Sequence, residues 1–121
     1  MPTLKRILIV DDSPVVLAAA KHALEADGFA VETRSGVDEI GALGARGFDL
    51  ILMDVQMPEL YGDDVAVALR TQRDVATPIY LFSTLGDAEL AVRAKEAQLE
   101  GYISKQGGMD HLRAEVRRIL G

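Results

Sequence analysis

Residues 48–54 read FDLILMD, a short and largely apolar run that ends at the carboxylate of Asp54. Four further apolar runs occur, at 7–10, 29–33, 79–82 and 101–104, of which those at 29–33 and 101–104 are weaker. A continuous apolar run is typical of a parallel strand whose two faces are both covered by helices. We therefore predict five strands in a buried sheet.

The segments between these runs have the apolar spacing of amphipathic helices. The first helix should begin with Ser13 as N-cap and Pro14 at its first position, and end before Gly28. Ser35 and Asp38 form a capping-box pattern for the second helix. The apolar positions, in chain order, are Leu17, Ala20 and Leu24 in the first predicted helix; Val37, Ile40 and Leu43 in the second; Val65 and Leu69, after Gly62, in the third; Ala88, Ala91 and Val92, after Asp87, in the fourth; and Met109, Leu112, Val116 and Ile119 in the fifth.

Strands and helices thus alternate along the chain, and this alternation decides the fold class. Right-handed crossovers between β-α units build a doubly wound parallel sheet with helices on both faces. A chain of 121 residues suits one domain, and we find no linker, internal repeat or low-complexity segment in it. We predict a single α/β domain over residues 1–121, with no output domain.

The composition excludes several classes of protein. The chain has no cysteine, which excludes a disulfide scaffold, a zinc ribbon and a thiol nucleophile. Its net charge of −6 argues against direct nucleic-acid binding by the surface as a whole, because such a surface would not neutralise phosphates. No apolar run approaches the roughly 18 residues of a membrane span, and a signal peptide is not expected. We therefore expect a cytoplasmic protein without membrane insertion.

Polar residues with related chemistry follow four of the predicted strands. They are Asp11 and Asp12 after the first strand, Asp54 after the third, Ser83 and Thr84 at the fourth, and Lys105 after the fifth. Ligands of an open parallel sheet bind beyond the carboxyl ends of its strands, so these residues should lie together. Three converging carboxylates repel one another unless a hard divalent cation joins them, and oxygen ligands favour Mg²⁺ or Mn²⁺. With a lysine and a hydroxyl, the set suits phosphoryl transfer.

These residues together resemble the receiver domain of two-component response regulators, the CheY-like family, over the whole chain. The matching features are Asp11-Asp12, the run Asp54-Val55-Gln56-Met57-Pro58 followed by Gly62, Ser83 at the end of the fourth strand, and Tyr102-Ile103-Ser104-Lys105. The resemblance implies a flavodoxin-like fold with strand order 2-1-3-4-5 and five helices.

The resemblance also implies a phosphoacceptor and a metal site. Asp54 would take a phosphoryl group from a phosphohistidine on a sensor histidine kinase or a phosphotransfer protein. Asp12, Asp54 and the backbone carbonyl of Gln56 would bind Mg²⁺ directly, and Asp11 would act through a water ligand of the ion. Such a domain is not an enzyme beyond its own phosphoryl transfer and slow dephosphorylation.

Further residues would bind the phosphoryl group and report its presence. By the same resemblance, Lys105, the Ser83 hydroxyl and the Thr84 backbone amide would contact phosphoryl oxygens. Ser83 and Tyr102 would transmit the change to the face formed by the fourth helix, the fifth strand and the fifth helix. That face would bind a downstream protein, and the chain would be a monomer or a weak dimer.

Two positions depart from the family pattern, and two others bear on the lifetime of the phosphoryl group. Family members usually have a proline after the lysine, joined by a cis peptide, whereas this chain has Gln106. A cis bond there would cost about 3 kcal/mol, so the sequence leaves open a trans peptide and a shifted Lys105. Thr84 is bulkier than the usual alanine or glycine. Gln56 and Leu85 flank the expected water path, where their opposed effects leave the phosphoryl lifetime undetermined.

Two other functions compete with a phosphorylated receiver. A degenerate receiver would never be phosphorylated and would act as a constitutive protein-interaction module. A phosphatase of the haloacid dehalogenase type would need a second aspartate two residues after the nucleophile. Gln56 stands at that position after Asp54, and Ser13 after Asp11. The sequence therefore disfavours the phosphatase and keeps the degenerate receiver as the alternative.

Overall fold

The computed structural model describes residues 4–36, 47–57, 60–61, 64 and 76–121. Five strands in these ranges form one sheet: β1 (Arg6–Val10), β2 (Ala30–Arg34), β3 (Leu50–Met53), β4 (Ile79–Ser83) and β5 (Gly101–Ser104). Their order is β2-β1-β3-β4-β5, and all neighbours pair in parallel. The predicted sheet and its strand order are confirmed.

The described ranges contain three of the five predicted helices, α1 (Pro14–Ala26), α2 (Asp87–Glu96) and α3 (Gly108–Leu120). They correspond to the first, fourth and fifth predicted helices. The second and third predicted helices, with Gly62 and Pro58, fall on residues outside the described ranges. A short antiparallel ribbon joins Gln56–Met57 to Leu60–Tyr61, and a 3₁₀ turn covers Lys105–Gly107. In the ranges described, no helix has the length and apolarity needed to cross a membrane.

Helix α1 begins and ends where its sequence predicts. The Ser13 side chain accepts a hydrogen bond from the Val16 amide at 3.3 Å, and Pro14 occupies the first helical position. Gly28 follows the C-cap residue Asp27 with φ of +93°, a left-handed conformation that costs glycine little. This helix therefore starts directly after the acidic pair at the end of β1.

The sheet separates two apolar cores because successive strand residues point to opposite faces. Ile7 and Ile9 of β1 pack in one core with α1 and α3, whereas Leu8 and Val10 pack in the other with α2. Both cores contain fully buried residues of β3 as well. Helices on both faces explain why the strands are continuously apolar.

Helix α2 packs through a different face from the one its spacing suggested. Leu90 and Ala94, one turn apart, are its buried residues, whereas Ala88, Ala91 and Val92 are exposed. The interpretation of those three as the apolar stripe is wrong. Alanines occur on both faces of this helix, so their spacing alone does not identify the packed side.

Helix α3 packs as predicted and is tied to α1 by an ion pair. Leu112 and Val116 are buried, and α3 lies beside α1. The Arg113 guanidinium donates two hydrogen bonds to Asp27, at 2.7 and 3.0 Å, and this holds the pKa of Asp27 below its ordinary value. The pair closes a separation of 86 residues and fixes the helix that follows Lys105.

Candidate functional site

Backbone hydrogen bonds bring two carboxylates to neighbouring positions at the carboxyl edge of the sheet, the edge where β1, β3, β4 and β5 end. The Asp11 amide donates to the Arg34 carbonyl at 3.1 Å, and the Asp54 amide donates to the Val10 carbonyl at 2.9 Å. Each residue thus extends the ladder by one position past its strand. Asp11 is 0% exposed and Asp54 is 4% exposed, so both carboxylates are enclosed by protein.

Three carboxylates at this edge are close enough to share a cation. Asp11, Asp12 and Asp54 each offer an oxygen, and these oxygens lie within 4.8 Å of one another. Asp12 is exposed, so it faces solvent at the mouth of the cluster. An all-oxygen donor set of this size fits Mg²⁺ or Mn²⁺, which retain several water ligands.

The three carboxylates are not equivalent. Asp11 accepts a hydrogen bond from the Ser13 amide through Oδ1 at 2.9 Å, and its Oδ2 lies 2.5 Å from the Lys105 ammonium. Both oxygens of Asp11 are therefore engaged by protein groups. Asp54 Oδ1 accepts a longer hydrogen bond from the Gln56 amide at 3.3 Å. Protein groups therefore hold Asp11 through both of its carboxylate oxygens and hold Asp54 more loosely.

Lys105 supplies the positive charge that contacts this cluster among the described residues. Its Nζ lies 3.7 Å from Asp54 Oδ1 as well as beside Asp11, and 5.3 Å from the centre of the Phe82 ring. Only 12% of the side chain is exposed. This ammonium is shared by two buried carboxylates and offsets part of their negative charge.

Burial and charge act strongly on Asp54. Burial, with repulsion from Asp11, raises the pKa of Asp54 from 3.8 to about 6. Lys105 and the Gln56 amide oppose this rise, and Asp12 adds to it. A raised pKa means that ionisation of the carboxylate costs free energy unless a further positive charge is bound nearby. A divalent cation would supply that charge.

The residue after Lys105 does not misplace the lysine. No peptide bond between described residues is cis, so the Lys105–Gln106 bond is trans. The Ser104 hydroxyl accepts a hydrogen bond from the Gln106 amide at 3.1 Å, and the chain enters the 3₁₀ turn Lys105–Gly107. This turn directs Lys105 into the acidic cluster without the usual proline.

The end of β4 brings the predicted hydroxyl to the same carboxyl edge of the sheet. Ser83 is fully buried, and its Oγ accepts a hydrogen bond from the Leu85 amide at 3.3 Å. Thr84 is exposed, and its carbonyl accepts a hydrogen bond from the side-chain amide of Gln106 at 2.9 Å. The sequence identified Gln106 as a departure from the family but not this contact, because nothing in local spacing shows how far an exposed glutamine reaches.

Tyr102 and the two water-path residues lie in different surroundings. Tyr102 is half-buried on β5 and lines a groove of about 480 Å³ together with Tyr80, Glu100 and His111. Leu85 is half-buried against the α2-side core, whereas Gln56 is exposed. The groove opens on the face formed by α2, β5 and α3, which are the predicted fourth helix, fifth strand and fifth helix.

Comparison with known proteins identifies relatives of this chain. A family model described as the response regulator receiver domain matches residues 7–117. The polar-differentiation response regulator DivK of Brucella ovis is 29% identical over 122 residues, with 97% of each chain covered. The transcriptional regulatory protein KdpE of Mycobacterium tuberculosis is 32% identical over 117 residues, which cover 93% of this chain and 51% of that protein.

A solved structure agrees with these sequence relatives. The chemotaxis protein CheY4 of Vibrio cholerae superposes with a TM-score of 0.85 at 28% identity, covering 97% of this chain and 99% of that one. The chain spans about half the length of the mycobacterial transcriptional regulators that it matches. With its family match, its strand order and its edge of three aspartates and a lysine, the chain belongs to the response regulator receiver domain family.

Proposed function

We propose that this chain accepts a phosphoryl group on Asp54 from a phosphohistidine of a sensor kinase or phosphotransfer protein, in a reaction that requires Mg²⁺. One observation carries the proposal: the enclosed Asp54 carboxylate lies next to Lys105 and within 4.8 Å of the other two acids. A carboxylate used only for structure would be neutralised by hydrogen bonds or by one partner. This carboxylate instead lies in a site with excess negative charge.

The proposed step exchanges one bond to phosphorus for another. An oxygen of the Asp54 carboxylate attacks phosphorus and forms a P–O bond, while the P–N bond to the donor imidazole breaks. The imidazole leaves with that electron pair and takes up a proton. The product is an acyl phosphate on the chain itself, so the reaction alters this protein and does not turn over a separate substrate.

Protein groups at the carboxyl edge have distinct parts in this step. The Lys105 ammonium would move its pairing from the carboxylates to a phosphoryl oxygen, and the Ser83 hydroxyl and Thr84 amide would donate to others. Asp12, Asp54 and the Gln56 carbonyl would hold Mg²⁺, which neutralises charge on the phosphoryl oxygens when bound. Ionisation of Asp54 is required for attack, and Lys105 favours it.

The proposed output is a change in the face formed by α2, β5 and α3. Ser83 and the Leu85 amide connect the phosphoryl site to the start of α2, and Tyr102 lies on that face. Phosphorylation acts only through a difference in its interactions with two conformations. A protein partner in the cytoplasm that binds one conformation of the face would then read the phosphorylation state. The complete set of acids, hydroxyl and lysine favours this function over a constitutive interaction module.

The test is phosphorylation by a small donor. Incubation with acetyl phosphate and Mg²⁺ should add one phosphoryl group by intact mass, and chelation of Mg²⁺ should prevent it. Asp54→Asn should remove the mass gain. Asp49→Asn, a matched change at the opposite edge of the sheet, should retain it. Absence of an Asp54-dependent gain would instead favour the constitutive module.

A further inference from the structure

Gln106 forms two hydrogen bonds that a proline in its place could not form. Its backbone amide donates to the Ser104 hydroxyl at 3.1 Å, and its side-chain amide donates to the Thr84 carbonyl at 2.9 Å. Proline has neither a backbone N–H nor a side-chain donor. One residue thus shapes the turn that presents Lys105 and also contacts the loop that presents Ser83 and Thr84.

The contact with Thr84 acts on a single peptide unit that is held at both ends. The carbonyl of the Thr84–Leu85 peptide accepts from Gln106, while its N–H donates to the Ser83 hydroxyl at 3.3 Å. A hydroxyl that accepts this bond keeps its own hydrogen for donation to another group. The orientation of this peptide therefore limits the directions in which the buried Ser83 hydroxyl can point.

The strand register places the two loops side by side. Ser83 pairs with Ser104 across β4 and β5, so the loops that follow these residues leave the sheet as neighbours. Lys105 is adjacent in sequence to Gln106 and reaches the carboxylates of Asp11 and Asp54. The Gln106 side chain is the described link from the Lys105 turn to the Thr84 carbonyl.

We propose that Gln106 is a positioning residue that joins the Lys105 turn to the Ser83–Leu85 loop, so that both loops meet an anionic group on Asp54 as one preorganised unit. This inference rests on the proposed phosphoryl site but assigns a residue that the family pattern does not use in this way. Gln106 acts through Ser83, Thr84 and Lys105. It does not contact the carboxylates that would hold the metal.

The test is Gln106→Met, which keeps the length of the side chain and its lack of charge but removes its hydrogen-bond donor. Beryllofluoride with MgCl₂ serves as the phosphoryl mimic, and ¹H–¹⁵N spectra report its binding. We expect the variant to bind the mimic about threefold to tenfold more weakly, as loss of one exposed hydrogen bond predicts. Its affinity for Mg²⁺ alone should equal that of the wild type. Gln98→Met, at the opposite edge of the sheet, is the matched control and should change neither affinity.

Hydrogen exchange of the Leu85 amide supplies a second readout that needs no ligand. Exchange should be several-fold faster in Gln106→Met than in the wild type, because the peptide loses its carbonyl anchor. Equal exchange and equal binding of the mimic would overturn the positioning role. Equal weakening of Mg²⁺ and mimic binding would also overturn it, since that result indicates general loosening. Failure of the wild type to bind the mimic would overturn the proposed function, and amide exchange would still decide whether Gln106 holds the loop.

Discussion

The two edges of the parallel sheet use carboxylates in opposite ways. At the amino edge, where the strands begin, each of two acids accepts a hydrogen bond from the first amide of a neighbouring strand. Asp49 accepts from Arg6 and Glu100 accepts from Ile79, both at 2.8 Å. These carboxylates complete the hydrogen bonding of the backbone, so their charge contributes to the stability of the sheet.

At the carboxyl edge the aspartates extend the sheet through their own backbone amides, and their carboxylates accept hydrogen bonds only from amides of the loops that follow. The amides of Asp11 and Asp54 donate to carbonyls of the adjacent strands, and their carboxylates face each other and Lys105. The amino edge is thus arranged for stability. The carboxyl edge retains excess negative charge in the metal-free protein, and burial together with repulsion from Asp11 raises the pKa of Asp54 there.

The largest effect is expected from removal of the positive charge at the carboxyl edge. Lys105→Met leaves the fully buried Asp11 without its ammonium and should lower the free energy of unfolding by about 3 kcal/mol in EDTA at pH 7. Urea denaturation measures this value, with exposed Lys95→Met as the control for loss of a lysine. Mg²⁺ should restore part of the loss. A variant as stable as the wild type would mean that the ion pair does not offset the burial of Asp11.

Removal of the charge of Asp54 should instead raise the free energy of unfolding. The folded-state pKa of Asp54 lies near 6, above its ordinary value of 3.8, so ionisation destabilises the metal-free fold. This penalty is absent below about pH 4, grows as the pH rises and is complete above about pH 7. Asp54→Asn should therefore stabilise the protein in EDTA by about 2 to 3 kcal/mol at pH 8, with no gain at pH 4.

The amino edge provides the control for this pH dependence. Asp49→Asn keeps an acceptor oxygen for the Arg6 amide and should give no stabilisation at pH 8. Denaturation curves at several pH values compare the two variants. If Asp54→Asn were no more stable than the wild type at pH 8, the excess charge would not be a cost, and the contrast between the edges would disappear.

The sequence predicted the carboxyl edge better than the amino edge for a physical reason. Apolar runs indicated strands covered on both faces, and strands of one direction must end at one edge, so Asp11, Asp54 and Lys105 were expected to meet. The hydrogen bonds of Asp49 and Glu100 depend on loops whose course leaves no local pattern. The buried side of α2 was misjudged for a similar reason, since its alanines do not mark one face.

Contacts between distant segments were also beyond sequence reasoning. Arg113 and Asp27 are 86 residues apart and meet only because α1 and α3 pack on the same face of the sheet. The sequence showed that Gln106 stands where the family usually has a proline. It did not determine whether Lys105 reaches the carboxylates. The trans peptide and the bond to Thr84 emerge only once the two loops are placed side by side.

The smallest effect is expected at the amino edge, where Arg6 lies in an exposed network. Its guanidinium pairs with Glu32 at 2.7 Å and lies 4.4 Å from the centre of the Phe48 ring. Because both charged side chains are more than 40% exposed, water screens the pair, and Arg6→Met should cost only about 1 kcal/mol. Urea denaturation at pH 7 measures this loss, and Mg²⁺ affinity should not change.

Acidification tests whether the ion pair with Glu32 accounts for the destabilisation by Arg6→Met. Arg6 holds the pKa of Glu32 below its ordinary value, so the ion pair stabilises the fold above that value and is lost as the pH falls through the folded-state pKa. The cost of Arg6→Met should therefore shrink in acid, as the gain of Asp54→Asn does, but with the opposite sign throughout. A cost that persisted undiminished in acid would assign the contribution of Arg6 to the Phe48 ring and the Gly47 carbonyl, and not to Glu32. The amino edge would then owe this part of its stability to contacts of Arg6 with uncharged groups, and the pairing of Arg6 with a carboxylate would contribute nothing to its difference from the carboxyl edge.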